Sequence, residues 1–420
     1  MPSATVLYNI GTLVTPTGSG PQGGKSQGEI LRLHNAYIRI AEDAISDIGT
    51  GMPEIREGEV PVDCQGALAT PGLVDPHTHL IFGGWRASEL DLKLHGVPYL
   101  DILASGGGIL STVQATRAAS QDELENKALE VLKKMLRRGV TTCEAKSGYG
   151  LNWEQERKML LAVKKLNTRQ PVELVSTFMG AHALPPEYKE NREGYIRELT
   201  DNMLPTVVKE ELAEYCDVFC EAGVFTAEES RTILNAAKNL GLGLKCHSDE
   251  IDDIGGTAMA SELGAVSCEH LIRCTSAGIQ AMKKSGTIAC CLPATSFYLG
   301  ANYAPAREMI LAGVPVAFGS DFNPGSCPCS SLPLAMQVGC YRYRMTPEEC
   351  LTAVTLNAAA AVGRADKIGS LEVGKQADIV MWSADSLEYL MYRFGDAPVK
   401  SVMKKGRLVS SEMSEDDYAD

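Results

Sequence analysis

Short apolar stretches alternate with amphipathic segments through the middle of the chain. Each stretch is rich in Val, Ile, Leu or Cys, and helix-patterned sequence follows it. Strands that alternate with helices are typical of a parallel sheet, and eight repeats predict a closed α/β barrel of the TIM-like (β/α)8 type. The eight predicted strands are LATPGLVDPHTHL, VTTCEAKSGYG, VELVSTFMGAHAL, CDVFCEAGVF, LGLKCHSDE, AVSCEHL, TIACCLP and VPVAFGSD.

The helix predicted before the second strand has clear start and stop signals. Ser120 and Glu123 have capping-box spacing, and Gly139 stands where a C-terminal cap is expected. Between them, apolar residues recur at helical spacing at Leu124, Ala128, Leu132 and Met135.

Both ends of the chain differ from this middle part, because they read as short strands separated by turns. The N-terminal part contains ATVLYNIGTLVTP, and the C-terminal part contains GSLEVGKQADIVMW and VKSVMKKGRLV. We expect the two ends, 1–66 and 363–420, to form one small β-sandwich domain beside a catalytic barrel at 67–362.

Composition narrows the classes of function. The 420 residues are 45% hydrophobic and carry a formal net charge of −14, which argues against nucleic-acid binding. The 13 cysteines come without a secretory signal pattern, so we expect a reducing, cytoplasmic location. No apolar run has membrane-spanning length, so we expect a soluble protein, and a homodimer is the default for an enzyme of this size.

Five of the seven histidines fall at or just after the carboxyl end of a predicted strand. In a (β/α)8 barrel that end is the face on which active sites form. Asp321 ends the eighth strand, and Glu250 follows the fifth. The five histidines are His77, His79, His182, His247 and His270.

His77 and His79 are separated by one residue, so both side chains point to the same face of the first strand. With His247 and Asp321 they would make a set of three nitrogens and one oxygen that suits zinc or ferrous iron. An ion held this way can generate a hydroxide nucleophile from water near neutral pH. Each of these residues alone is explained as well by a buried core position, so the prediction depends on their joint placement at one end of the barrel.

Three segments resemble the amidohydrolase superfamily: PGLVDPHTHL at the first strand, GSD near residue 320, and GSLEVGKQADIVMW. Longer stretches resemble one group of cyclic-amide hydrolases within it. That resemblance implies hydrolysis of 4-imidazolone-5-propanoate to N-formimino-L-glutamate in histidine degradation, with one zinc or iron ion per subunit. The longer stretches are HTHLIFGGWRASEL, ASGGGILSTVQATR, AKSGYGL, FMGAHALP, CHSDE, CEHL and GSDFNPGS.

The implied substrate is a small anion, which needs a local cation in an acidic protein. Arg86 follows the first strand, and a guanidinium can bind a carboxylate through two hydrogen bonds. A surface arginine is the alternative interpretation. Tyr149 and His182 resemble substrate-binding positions of the group, although either could simply pack in its loop.

The loop after Asp321 offers further groups to the substrate or product. Asn323 would contribute an amide side chain, and Gly325 and Ser326 would contribute backbone N–H groups. Gly325 could instead serve only the turn.

Glu250 is our candidate for the group that moves protons between water and the leaving ring nitrogen, and for a substrate contact. Its alternative role is to orient His247. His270 would stabilise the oxyanion or orient the water. The fourth strand contains Glu221 and lacks the lysine that binuclear relatives commonly place there, which favours one metal, unless Glu221 bridges two ions.

Other functions on the same scaffold stay open. One is a different cyclic amidohydrolase or a purine or pyrimidine deaminase, since function depends on the loops. Arg86 argues against a neutral purine substrate. A non-catalytic scaffold is the alternative from another class, but such a protein is expected to have lost its metal ligands.

Overall fold

The strands form two sheets in the computed structural model, which describes residues 4–97 and 107–411. The first three residues of the ASGGGILSTVQATR stretch, 104–106, lie outside the described residues. The strands are β1 (Thr5–Thr15), β2 (Leu31–Ala41), β3 (Ala44–Thr50), β4 (Val60–Asp63), β5 (Leu68–Pro71), β6 (Leu73–Asp75), β7 (Val140–Lys146), β8 (Glu173–Ala181), β9 (Tyr215–Cys220), β10 (Gly243–Ser248), β11 (Ser267–His270), β12 (Ile288–Cys291), β13 (Val316–Phe318), β14 (Ile379–Trp382), β15 (Val399–Lys404) and β16 (Arg407–Ser411).

Strands β6 to β13 are parallel and lie side by side in chain order. The first and last of them meet just beyond their carboxyl ends. There the N–H of Asp321 donates to the carbonyl of His77 at 3.0 Å, and the N–H of His79 donates to the carbonyl of Phe322 at 2.9 Å. These bonds close the sheet, which confirms the predicted eight-stranded barrel.

The remaining strands, from both ends of the chain, form a second sheet in the order β16-β15-β14-β5-β1-β2-β3, with β4 also paired to β1. Its pairings are mostly antiparallel, and buried apolar side chains such as Ile10, Ile38 and Ile379 form its core. The predicted small β domain made by both chain ends is therefore present.

The first predicted strand is divided between the two sheets. β5 pairs with β1 and β14 in the terminal sheet, whereas β6 pairs with β7 in the barrel. Gly72 separates them, and a Cβ there would lie 2.4 Å from Oγ1 of Thr141. This close approach allows residues 68–75 to contribute one strand to each sheet. Hydrophobic patterning alone does not reveal such a division.

Helices cover the outside of the barrel. The predicted capping box is confirmed in the helix after Ser120, and Gly139 has a φ of 90°. The helices are α1 (Leu90–Leu94), α2 (Ile109–Ala118), α3 (Gln121–Arg137), α4 (Trp153–Leu166), α5 (Arg192–Arg197), α6 (Leu204–Lys209), α7 (Ala227–Asn239), α8 (Gly256–Leu263), α9 (Ser276–Ser285), α10 (Pro293–Leu299), α11 (Ala306–Ala312), α12 (Leu332–Tyr343), α13 (Pro347–Val354), α14 (Leu356–Ala361) and α15 (Leu387–Tyr392). Among the described residues, none of these helices combines the length and apolar character needed to cross a bilayer.

Candidate active site

A cavity of about 250 Å³ opens at the carboxyl ends of the barrel strands. It brings together predicted site residues from six of the eight strand–loop units. His77 lies beneath it and is fully buried. The lining includes His79, Arg86, Tyr149, His182, His247, Glu250, His270, Asp321, Asn323, Gly325 and Ser326.

The four predicted metal ligands converge at this cavity. Nε2 of His79 is 3.3 Å from Nε2 of His247, and Oδ1 of Asp321 is 3.4 Å from Nε2 of His77 and 3.7 Å from Nε2 of His79. Ligand atoms of a tetrahedral zinc with bonds near 2.0–2.1 Å are about 3.3 Å apart. The spacing therefore fits one ion at this position.

The carboxylates behind two of these imidazoles support the same conclusion. Nδ1 of His77 bonds the Glu269 carboxylate, and Nδ1 of His247 lies 3.0 Å from Oδ2 of Asp217. A proton on Nδ1 of His77 leaves a lone pair on its Nε2. Burial holds the pKa of His77 and that of His79 well below the usual value. Nε2 of the neutral His77 therefore presents a lone pair to Oδ1 of Asp321, and a cation between the two atoms would stabilise this arrangement.

A second ligand combination overlaps the first. His77, His270 and Asp321 also offer ligand atoms within 4.8 Å of one another. His270 and Asp321 both have left-handed backbones, with φ of 69° and 52°. Such strain in non-glycine residues is common at functional sites.

Sequence reasoning missed the buried charges below the ligands. Lys146 is 2.8 Å from Glu144 and 2.7 Å from Asp217, and Lys245 is 3.2 Å from Glu144 and 3.5 Å from Glu269. We refer to these five residues as the ion network. Their side chains are all fully buried, and Asp217 and Glu269 are the carboxylates that orient the two imidazoles. A charged residue inside an apolar strand, such as Asp217 in β9, was the signal that could have revealed them.

Neighbouring positive groups keep two carboxylates of the ion network, Glu269 and Asp217, ionised. Burial alone would raise the pKa of Glu269, but Lys245 and Lys146 lower it to about 2. Burial likewise opposes ionisation of Asp217, but His247 and Lys146 hold its pKa well below the usual value. Both groups are therefore anions that can orient imidazole ligands.

Asp321 is oriented from the opposite side. Its Oδ2 accepts a hydrogen bond from Oγ1 of Thr295 at 2.7 Å, so Oδ1 faces the histidines. Thr295 belongs to α10 and was also missed. Gly319, the glycine of the GSD motif, packs closely against His77. A Cβ at position 319 would lie 2.7 Å from Cβ of His77, so a larger residue would not fit without a shift.

Arg86 lines the cavity, but it already has one anionic partner. Its Nε donates to Oε2 of Glu89 at 3.1 Å. Its guanidinium lies over Gly325, where a Cβ would be 2.1 Å from Nη1. Lys93, a cation not predicted for the site, is 3.6 Å from Glu89 and donates to the carbonyl of Gly325 at 2.9 Å. Two cations and one carboxylate thus leave one net positive charge beside the cavity.

Glu250 is partly exposed toward the cavity, and its Oε2 is 3.6 Å from Nε2 of His270. Burial raises its pKa to about 8, and the negative charges of Asp321 and Glu221 add to the rise. A carboxyl group in such surroundings is suited to proton transfer near neutral pH.

The predicted substrate-binding residues with rings, Tyr149 and His182, lie together on one wall of the cavity. The His79 and His182 rings stack with centroids 4.8 Å apart, and the Tyr149 ring centroid is 5.2 Å from that of His182. Nδ1 of His182 donates to the carbonyl of Gly148 at 3.2 Å, and burial lowers the His182 pKa to about 3. A neutral His182 keeps Nε2 as a hydrogen-bond acceptor.

The loop after Asp321 uses its polar groups internally. Oδ1 of Asn323 accepts from the N–H groups of Gly325, Ser326 and Cys327, and its Nδ2 donates to the Asp321 carbonyl and to Oγ of Ser326. A substrate contact through these N–H groups or this amide would have to compete with those bonds.

Comparison with known proteins places the chain in a family. The amidohydrolase family model matches residues 68–409. The chain is 52% identical over 413 residues to the imidazolonepropionase of Fusobacterium nucleatum subsp. nucleatum, covering 97% of this chain and 99% of the relative. It is 50% identical over 410 residues to the imidazolonepropionase of Alkaliphilus metalliredigens, covering 96% and 97%.

The chain therefore belongs to the amidohydrolase family and is a hydrolase. Its relatives at about half identity carry the name of the cyclic-amide hydrolase that the longer sequence stretches resemble, imidazolonepropionase, so that predicted resemblance is confirmed.

Solved structures support the fold. A triazine hydrolase variant superposes with a TM-score of 0.72 at 17% identity, covering 97% of this chain and 95% of the other. A zinc-bound adenosine deaminase from Xanthomonas campestris superposes with a TM-score of 0.71 at 17% identity, covering 98% and 95%. At this identity the likeness extends to the fold alone.

Proposed function

We propose that this hydrolase opens the ring of 4-imidazolone-5-propanoate and yields N-formimino-L-glutamate. The observation that carries the proposal is a single cavity lined both by the His79, His247 and Asp321 cluster and by Arg86. The cluster suits hydrolysis of an amide, and the cation suits a substrate with a carboxylate. Relatives named imidazolonepropionase at 52% and 50% identity support the same substrate.

We further propose that the chain binds one zinc or iron ion through His77, His79, His247 and Asp321. The ion network and Asp321 together contain four carboxylates and two ammonium groups, all buried, which gives a formal charge of −2. One divalent cation would neutralise this charge. When bound, the ion supplies Lewis acidity that polarises a carbonyl and activates water.

The residues of the chain then have separate tasks. Arg86 binds and orients the propanoate. Glu250 accepts a proton from water at its carboxylate and delivers it to the leaving ring nitrogen, so it takes part in both halves of the reaction. His270, 3.6 Å from Glu250, stabilises negative charge on the attacked carbonyl oxygen or orients the water.

The cavity wall completes substrate binding in this proposal. Tyr149 and His182 contact the substrate from the aromatic wall. Asn323, Gly325 and Ser326 shape the opposite loop and face the glutamate-like end of the substrate or product.

Metal analysis combined with turnover of imidazolone propanoate tests the proposal. Purified protein is expected to contain about one equivalent of zinc or iron and to hydrolyse this substrate. His79→Ala should lose both the metal and the activity, because a four-ligand site loses its geometry when one ligand is removed. A His79→Ala protein that keeps a full equivalent of metal would contradict the ligand assignment.

A further inference from the structure

Glu221 directly follows β9 and is buried, and both of its carboxylate oxygens accept hydrogen bonds from backbone N–H groups. Oε2 accepts from Glu250 at 3.1 Å and from Ile251 at 2.9 Å. Oε1 accepts from Asp252 at 3.0 Å and from Ala222 at 2.8 Å. Three of these four donors belong to the segment that begins with Glu250.

Glu156, on α4, makes the same type of arrangement under another part of the cavity. Its Oε1 accepts from the N–H groups of Gly150 at 2.7 Å and Leu151 at 2.8 Å, and its Oε2 accepts from Gly148 at 3.0 Å. These donors flank Tyr149. The Glu156 side chain is also fully buried.

Neither carboxylate has a cationic partner among the ion pairs of the described residues. The backbone N–H groups are therefore the groups that favour the charged form of each buried carboxyl group. Conversely, the N–H groups of irregular segments lack secondary-structure partners, and one anion that satisfies three of them fixes the path of the backbone.

We propose that Glu221 is a positioning residue for the reaction: it fixes the backbone of residues 250–252 so that the Glu250 carboxylate stays at the cavity. This inference rests on the proposed function for the role of Glu250. It also gives Glu221 a role other than bridging two metal ions, because the backbone already occupies both of its oxygens.

Glu221→Gln tests the proposal, and Glu156→Gln is its matched control. In each variant an NH₂ group replaces one acceptor oxygen. Because NH₂ is a donor, the backbone N–H groups that bonded this oxygen lose their hydrogen bonds. Hydrogen–deuterium exchange of the metal-loaded protein, followed by mass spectrometry of peptides, measures the exchange rate of the backbone amides in both loops. We expect roughly tenfold faster exchange at residues 250–252 in Glu221→Gln and at 148–151 in Glu156→Gln, each without acceleration at the other loop.

Kinetics with imidazolone propanoate then separates positioning from general stability. Glu221→Gln should lower kcat by roughly tenfold to a hundredfold with KM changed by less than about threefold, since small misplacements of a reacting group cost rate. Glu156→Gln should mainly raise KM, because its loop carries a substrate contact. Metal content should stay at the wild-type level in both variants.

Several outcomes would overturn the inference. Unchanged exchange at residues 250–252 would show that Glu221 does not fix this segment. Faster exchange with an unchanged kcat would show that catalysis does not depend on a fixed segment. Loss of metal would assign Glu221 to the metal site. If Glu221→Gln does not fold, Glu221→Asp replaces it, because Asp keeps the carboxylate on a shorter side chain. We expect Glu221→Asp to increase exchange at residues 250–252 and to lower kcat, each by less than Glu221→Gln. Wild-type exchange and kcat in Glu221→Asp would equally overturn the inference. Absence of turnover by the wild type refutes the proposed function alone, since the exchange result needs no substrate.

Discussion

Glu250 and Glu269 are both carboxylates at the carboxyl ends of barrel strands, but their surroundings give them opposite properties. Burial raises the pKa of Glu250 to about 8, whereas Lys245 and Lys146 lower the pKa of Glu269 to about 2 despite its burial. The first carboxylate is suited to exchanging protons, and the second to remaining an anion that orients His77.

Replacing Glu250 by Gln keeps the shape of the side chain and removes its ability to accept a proton. We expect kcat to fall by roughly 10² to 10⁴, the usual range for lost general acid–base catalysis. Metal content and substrate binding should be retained, as measured by elemental analysis and by binding of the product. Loss of metal from this variant would instead place Glu250 among the groups that hold the ion.

Arg86 is the residue that connects the fold to a particular substrate. A hydrogen bond to a charged group contributes about 1.5 to 3 kcal/mol, and about 1.4 kcal/mol corresponds to a factor of ten. Arg86→Met should therefore lower kcat/KM at least tenfold while metal content stays constant. Glu89 loses a partner in this variant, but Lys93 remains 3.6 Å from it, so the loop should stay folded.

A substrate analogue gives the control for Arg86. When a neutral amide replaces the propanoate, the wild type should discriminate strongly against the analogue, and Arg86→Met should largely lose that preference. Equal preference for the acid in both proteins would mean that another group, with Lys93 the nearest candidate, binds the carboxylate.

At the scale of elements, α3 shows how local sequence determines a helix end. The Ser120 hydroxyl accepts from the N–H of Glu123, and the Glu123 carboxylate accepts from the N–H of Ser120. Ser120→Ala should lower the free energy of unfolding by about 1 kcal/mol, the typical contribution of an N-cap. Urea unfolding followed by circular dichroism would measure it.

The same helix provides the control. Lys134 is exposed on α3, and Lys134→Ala should change the free energy of unfolding by less than about 0.5 kcal/mol. Equal effects of the two substitutions would mean that the capping box does not contribute specifically.

Elements also explain which parts of the site could be predicted from the sequence. Strand–helix alternation placed His77, His79, His247 and Asp321 at one end of a barrel, because parallel strands share their direction. Patterning could show that Glu144 and Lys146 point to the same side of β7, being two residues apart. It could not show that Lys146 meets Asp217 on β9, because that contact crosses the barrel interior.

Loops were the least predictable part. The sequence offered Glu221 as a possible metal bridge and Asn323 as a substrate contact, whereas in the structure the Glu221 carboxylate and the Asn323 amide bond the backbone of neighbouring residues. Such bonds depend on the path of the loop, which follows from tertiary packing and not from residue spacing.

For the whole molecule, the candidate metal site lies at the seam of the barrel. His77 and His79 follow the first barrel strand, Asp321 follows the last, and backbone bonds between these two segments close the sheet. His247 comes from β10, across the barrel. An ion bound by all four residues would therefore join the two strands of the seam to a third strand, and metal binding should stabilise the closed barrel.

Metal removal tests this coupling. A ligand that binds only the folded state stabilises it in proportion to the logarithm of ligand concentration over Kd, about 2.7 kcal/mol at a hundredfold excess over Kd. Chelation should therefore lower Tm by several degrees, and returning zinc or iron should restore it, as measured by differential scanning calorimetry. His79→Ala is the control, because a protein that cannot hold the ion should show neither the loss nor the recovery. If chelation removes the metal and leaves the wild-type Tm unchanged, the ion does not stabilise the seam, and closure depends on hydrogen bonds between the two segments, such as those of Asp321 to His77 and of His79 to Phe322.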